Sequence, residues 1–274
     1  MLKQRIITAL VIIPPLVAAL FLLPVVGIAS LFGALIALAA WEWGALCDLA
    51  RVNRSVYVLS LVAIGAVAVA ASLNDRGAGY AVFAVASVWW LGVAIKLFLS
   101  PDSLLLSKHA RLIAGGLTLV PAWVALVDLH AVDSRRPLLL LFILVMVAVA
   151  DTAAYAVGHV LGRTKLAPTV SPGKTVEGVV GGALGVVLLS YFCGTMLWHF
   201  AGRDLAAWMG LAIVAGLVSV IGDLSESKLK RVAGVKDSGT LLPGHGGILD
   251  RIDALTAAAP VFTWGWLLLF DVHL

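Results

Sequence analysis

The chain has 274 residues, of which 62% are hydrophobic and 12% charged, with a formal net charge of +4. Its mean hydropathy is +1.06, whereas soluble domains carry an apolar share of only about 45–50%. Those values exclude a water-soluble globular domain, give no reason to expect a nucleic-acid partner, and make membrane spans the unit to count.

Nine apolar runs fall at 6–23, 27–46, 56–73, 79–98, 111–129, 137–155, 178–200, 207–225 and 252–270. Each is close to the roughly 20 residues a helix needs to cross hydrocarbon. The expected fold class is all-α, a polytopic integral membrane protein of about nine transmembrane helices. A closed β-barrel would alternate polar and apolar residues, and these runs are apolar on every side. Internal Gly and Pro are tolerated, because neighbouring helices satisfy the freed backbone groups. The first run follows Lys3 and Arg5, as a signal peptide would. It is long for that role and no small-residue cleavage site follows, so we expect it to be retained.

Residues 1–135 form an N-terminal region of about five spans, and 136–274 a C-terminal region of about four spans with two polar segments. Cys47 and Cys193 match no metal spacing or disulfide framework and are expected to pack. The pairs Gly158/Gly162 and Gly181/Gly185 have the spacing that lets helices approach closely.

Cytoplasmic loops carry the excess of Lys and Arg. With the N-terminus inside, nine spans place 15 of the 19 Lys and Arg on the cytoplasmic side and 4 outside. The topology expected is N-in/C-out, with the polar segments 151–177 and 223–251 both cytoplasmic. That basic face suits anionic lipid heads or phosphates.

The first polar segment begins with Asp151, Tyr155 and His159, spaced by four and so on one helix face. Further on, Ser171, Lys174 and Thr175 precede the seventh span, whose N-terminus favours anions. Glu177 is expected to pair with Lys174 or to cap that helix. The triplet Gly173-Lys174-Thr175 invites a nucleotide-binding P-loop reading. That motif requires Gly five positions earlier, where Pro168 stands, and a preceding strand in a βαβ unit. We reject it.

The second polar segment, Asp223–Asp253, is dense with charge in an otherwise oily chain. Continued as a helix, it puts Asp223, Glu226, Ser227, Lys230 and Arg231 within an arc of about 140°. A Gly/Pro-rich loop follows and ends the helix. Gly244, Gly246 and Gly247 there would let backbone amides approach an anion, with His245 between them. Asp250 and Asp253 then share a face at the start of the last span, where acids suit the helix dipole. Two readings stand. One is a solvated loop whose charges hold topology. The other is a metal–phosphate site, with carboxylates for Mg²⁺ and bases for phosphate oxygens.

The string Ser227-x-x-Lys230-Arg231, then Lys236-Asp237-x-Gly239, then Pro243-Gly244-His245-Gly246-Gly247-Ile248-x-Asp250-Arg251-Ile252-Asp253 resembles the signature of the phosphatidate cytidylyltransferases (CDP-diacylglycerol synthases). Segment 151–178 resembles that family's other cytoplasmic stretch, while the first half matches mainly as a hydrophobic region. The resemblance implies a multi-pass enzyme, of the bacterial inner membrane, with its active site facing the cytoplasm. It would join CTP to phosphatidate, giving CDP-diacylglycerol and pyrophosphate. It implies Mg²⁺ held by Asp223 and Asp250, a second cation such as K⁺, and a homodimer. Asp223, Asp250, Lys230, Arg231 and His245 are the catalytic candidates. Lys174, Lys236 and Arg251 are expected to clamp phosphate. Ser171, Ser227, Asp237, Gly246, Gly247, Asp253, Asp151 and Tyr155 complete the expected substrate contacts.

Two other readings compete. A CTP-dependent kinase of a polyprenyl or phytyl alcohol shares the interfacial logic but needs a base for a hydroxyl and would release CDP. A transporter would place its charges near the bilayer midplane, whereas the acids here cluster at span ends.

Overall fold

The structure is a computed structural model describing residues 2–100, 107–132, 137–241 and 246–270; for residues 2–10 and for Ile12 it describes the backbone alone. Among these, nine helices and one hairpin follow in order: α1 (Leu2–Leu22), α2 (Val25–Leu46), α3 (Arg51–Asn74), α4 (Arg76–Leu99), α5 (Lys108–Val132), α6 (Leu138–Leu161), β1 (Lys165–Ala167), β2 (Ser171–Thr175), α7 (Val176–Met196), α8 (Gly202–Val232) and α9 (Leu249–Leu269). Eight of them, α2 to α9, are long and apolar enough to cross a membrane, and α1 contributes the shorter apolar stretch Ile13–Leu22. The protein is thus an all-α, multi-pass membrane protein. Val56, Leu59, Ile64 and Val67 stand exposed along α3, a surface suited to lipid rather than water.

Local chemistry sets the breaks. Pro24 and Pro137 precede α2 and α6, where a residue without an N–H loses nothing. Asp75 caps α4 by accepting the Gly77 N–H at 2.9 Å. Thr175 caps α7, its hydroxyl accepting the Gly178 N–H at 3.1 Å.

One buried cluster runs from Leu20 to Trp266 and joins both halves of the chain. The α6–α7 pair is held close by small residues. A Cβ at Gly178 would lie 2.9 Å from the Ala154 carbonyl oxygen, and one at Gly182 2.9 Å from that of Ala150. The sequence spacing Gly181/Gly185 does the same work, against Val157 and Ala153. Trp208 is fully buried at one end of the bundle; its indole N–H donates to the Ser190 carbonyl at 2.9 Å, and it packs against Phe142 and Phe262. This aromatic knot fixes α6 to α9 at the end opposite the polar segments.

As the sequence reading expected, α8 continues as a helix past Asp223: it has 31 residues, about 46 Å at 1.5 Å per residue, so its last turns outrun a hydrocarbon core of about 30 Å. The hairpin and the contacts of Glu177 differ from that reading. Residues 165–175 form an antiparallel hairpin, with Lys165 opposite Thr175 and Ala167 opposite Ser171. Its strands are too short and too rich in Pro and Gly to show a two-residue period. Glu177 sits in the first turn of α7, where it accepts its own backbone N–H, and is not the partner of Lys174, which pairs with Asp223. Glu177 also accepts the backbone N–H groups of Arg163 and Thr164 at 3.1 Å, fastening the hairpin to the start of α7. Cys47 is buried just beyond α2, and burial pushes its thiol up to about 11, as a packing residue requires.

Candidate active site

Helices α8 and α9 cross closely at Gly222, where a Cβ would lie 2.5 Å from the Asp253 carbonyl oxygen. That contact sets Asp223 beside the first turn of α9. From the other side, β2 delivers Lys174, whose Nζ lies 2.5 Å from Asp223 Oδ2. Ser227, one turn along α8, donates to Asp223 Oδ1 at 3.3 Å. The two polar segments, distant in sequence, meet at this ion pair.

Lys174 and Asp223 face a cavity of about 700 Å³ between α6, α7, α8 and the hairpin. Its polar end carries Asp151, Lys165, Ser171 and the ion pair, while Ala150, Gly182, Leu217 and Val220 line an apolar end. At the rim Tyr155 stacks on His159, with ring centroids 5.8 Å apart and planes inclined by 17°. A site with one charged and one greasy end suits an amphiphile that meets a soluble anion.

A second cluster lies behind the first. Lys230 Nζ donates to Asp250 Oδ1 at 2.7 Å and also pairs with Glu226, one turn back on α8. Asp250 Oδ2 accepts the Ser238 N–H at 2.9 Å, the Ser238 hydroxyl at 2.9 Å and the Gly247 N–H at 2.8 Å. Gly246 has φ +80°, and a Cβ there would lie 2.7 Å from Asp250 Oδ2, so glycine is required twice over. The amide of Gly247 therefore points at a carboxylate of the protein itself. Asp253 accepts the N–H of Ala254 at 2.8 Å.

The structure brings Asp151, Tyr155, Ser171, Lys174 and Asp223 to the cavity wall, with Ser227 attached to Asp223. Lys230, Asp250, Gly246 and Gly247 form the cluster behind it. Arg231, Lys236, Asp237 and Arg251 lie on the exposed surface outside the cavity wall. His245, with Pro243 and Gly244, lies outside the described residues.

The sequence reading counted Glu42 of α2 among the acids near span ends and gave it no part in the site; it is 3% exposed. Its Oε1 accepts the Ile248 N–H at 3.1 Å; its Oε2 accepts the Leu249 N–H at 2.8 Å and faces the Ser238 hydroxyl at 3.2 Å. A signal was present, because an acid inside an apolar span is costly without a partner.

Among the described residues, no group of three metal-ligating side chains forms a cage. The donor set suits another arrangement. Mg²⁺ keeps several waters and is held by one or two carboxylates together with substrate phosphates. Asp223, with 28% of its side chain exposed, presents such a carboxylate to the cavity.

Fold and site define a multi-pass membrane protein with an amphipathic, charged cleft at one end of its helices. The chain belongs to the cytidylyltransferase family, whose profile matches residues 3–268. It is 42% identical over 276 residues to the phosphatidate cytidylyltransferase of Pseudomonas aeruginosa, covering 97% of this chain and 99% of that one. It is 35% identical over 286 residues to that of Haemophilus influenzae, covering 96% and 98%. A phosphatidate cytidylyltransferase of Synechocystis is 50% identical over 127 residues, 45% of this chain and 41% of the relative.

Proposed function

We propose that this protein transfers the cytidylyl group of CTP to phosphatidate, giving CDP-diacylglycerol and pyrophosphate. One observation carries the reading: the Lys174–Asp223 pair on a cavity of about 700 Å³ with one charged and one apolar end. The chain's near full-length identity to enzymes bearing that name supports it.

In this reading a phosphatidate oxygen attacks the α-phosphorus of CTP in line, and pyrophosphate leaves. The phosphate monoester is already ionised near neutral pH, so no residue need act as its base. Lys174 binds phosphate oxygens at the cavity, and Ser171 lies on the same wall to orient them. The apolar end receives the glycerol and first acyl carbons, holding the lipid phosphate against the charged end. Lys230 keeps Asp250 charged and oriented, with Arg231, Lys236, Arg251 and His245 available to the triphosphate. Asp223 and Asp250 would hold Mg²⁺, which when bound neutralises phosphate oxygens as charge develops. A second cation such as K⁺ and a homodimer belong to the same reading. Residues 136–274 carry the reacting groups and 1–135 support them. The site faces the cytoplasm of a bacterial inner membrane, where CTP reaches a lipid-anchored partner.

The test uses purified protein in phosphatidate-containing micelles with Mg²⁺ and CTP labelled in turn at the α- and γ-phosphorus. The α-label should become chloroform-soluble and the γ-label should appear in pyrophosphate. A γ-label in lipid, with CDP released, would instead identify a lipid kinase and refute the proposal.

A further inference from the structure

Helix α9 begins with the problem every helix has, namely backbone N–H groups without intrahelical partners. Its N-cap residue, Ile248, offers no side-chain cap. The cap comes from another helix. Glu42 of α2 accepts the N–H groups of Ile248 and Leu249, one on each carboxylate oxygen. A buried carboxylate is tolerated only where hydrogen bonds replace its water, and the positive end of α9 adds to that.

The same carboxylate reaches the proposed catalytic cluster through one residue. The Ser238 hydroxyl lies 3.2 Å from Glu42 Oε2 and 2.9 Å from Asp250 Oδ2, while the Ser238 N–H also donates to Asp250. The surrounding chain leaves space for this arrangement and no more. A Cβ at Gly239 would lie 2.3 Å from Glu42 Oε1, and one at Gly247 2.4 Å from both Glu42 Oε2 and Ser238 Oγ. Two glycines of the polar segment are thus shaped around an acid of the N-terminal half.

We propose that Glu42 is a positioning residue for cytidylyl transfer: it fixes the first turn of α9 and Ser238, and through them the orientation of Asp250. The inference rests on Asp250 serving the proposed reaction. It assigns α2 a part in the active site, beyond that of membrane scaffold.

Glu42→Gln keeps the volume but turns one donor, the amide NH₂, toward groups that themselves donate. The test compares wild type, Glu42→Gln, Ser238→Ala and the double variant, each normalised to folded protein in detergent. Glu42→Gln should lower kcat about 10- to 100-fold, as loss of an orienting partner does, with KM for CTP nearly unchanged. The double variant should lose clearly less than the product of the two single losses, because both act through one contact. Hydrogen–deuterium exchange of the 246–252 peptide should quicken in Glu42→Gln. Wild-type kcat in Glu42→Gln, or multiplicative losses in the double variant, would overturn the proposal. So would unchanged exchange. If wild type made no CDP-diacylglycerol, the functional reading would fall, while the exchange measurement would still decide the clamp.

Discussion

Lys174 Nζ sits 2.5 Å from Asp223 Oδ2, and this pair joins the hairpin after α6 to the C-terminal part of α8. With about a quarter of each side chain exposed, such a pair contributes about 1 kcal/mol or less to stability. Its worth lies in what it presents to the cavity.

Lys174→Met should therefore leave thermal unfolding in detergent almost unchanged while CDP-diacylglycerol formation falls on the order of 100-fold, the scale of losing one preorganised electrostatic contact. Steady-state rates and an unfolding curve on the same preparation check both halves. A fall in stability matching the fall in rate would count against a substrate role for Lys174.

The aromatic knot makes the opposite prediction. Trp208→Ala empties a fully buried site at the end away from the cavity and should destabilise by about 3–5 kcal/mol. The fraction that remains folded should keep its KM for CTP. Unfolding in detergent and a CTP titration at low temperature measure the two.

Close approach of α6 and α7 predicts a third outcome. Gly178→Ala places a methyl group 2.9 Å from the Ala154 carbonyl oxygen, a backbone atom that cannot rotate aside. A cost of about 1–3 kcal/mol is expected for such overpacking. Because Gly178 also lines the cavity, KM for phosphatidate should rise in the same variant. An unchanged melting curve would mean that the helices separate without penalty.

Cys47 offers a chemical probe. Its thiol, buried and pushed up to about 11, is overwhelmingly protonated near neutral pH, and the thiolate is the reactive form. In a Cys193→Ser background, maleimide should leave the native protein unlabelled and modify it after denaturation. Stoichiometric labelling of the native state would place Cys47 at an accessible surface.

The spans were legible because hydropathy is a property of the sequence itself. The apolar run 27–46 became Val25–Leu46, and 79–98 became Arg76–Leu99. Asp151, Tyr155 and His159 were placed on one face by their spacing, and all three line the cavity. Three relationships were not legible. The hairpin that carries Lys174 is built from Pro172 and Gly173, residues that weaken any strand pattern. The glycine loop read as a cradle for an external anion, yet Gly247 donates to Asp250, a few residues ahead in the chain. Glu42 looked like one more acid near a span end, because its partners Ile248 and Leu249 lie across the fold in the last helix. Periodicity reports which face a residue occupies, not which distant element that face will meet.

The central claim is that cytidylyl transfer takes place at the seam where Lys174 meets Asp223. The most direct measurement is the rate of CDP-diacylglycerol formation by Asp223→Asn, purified and shown to unfold as wild type does. The account predicts a loss of about 1,000-fold or more, since the variant keeps the shape of the site but removes the carboxylate charge facing the cavity. A rate within a few-fold of wild type would contradict it and move the reaction elsewhere in the molecule.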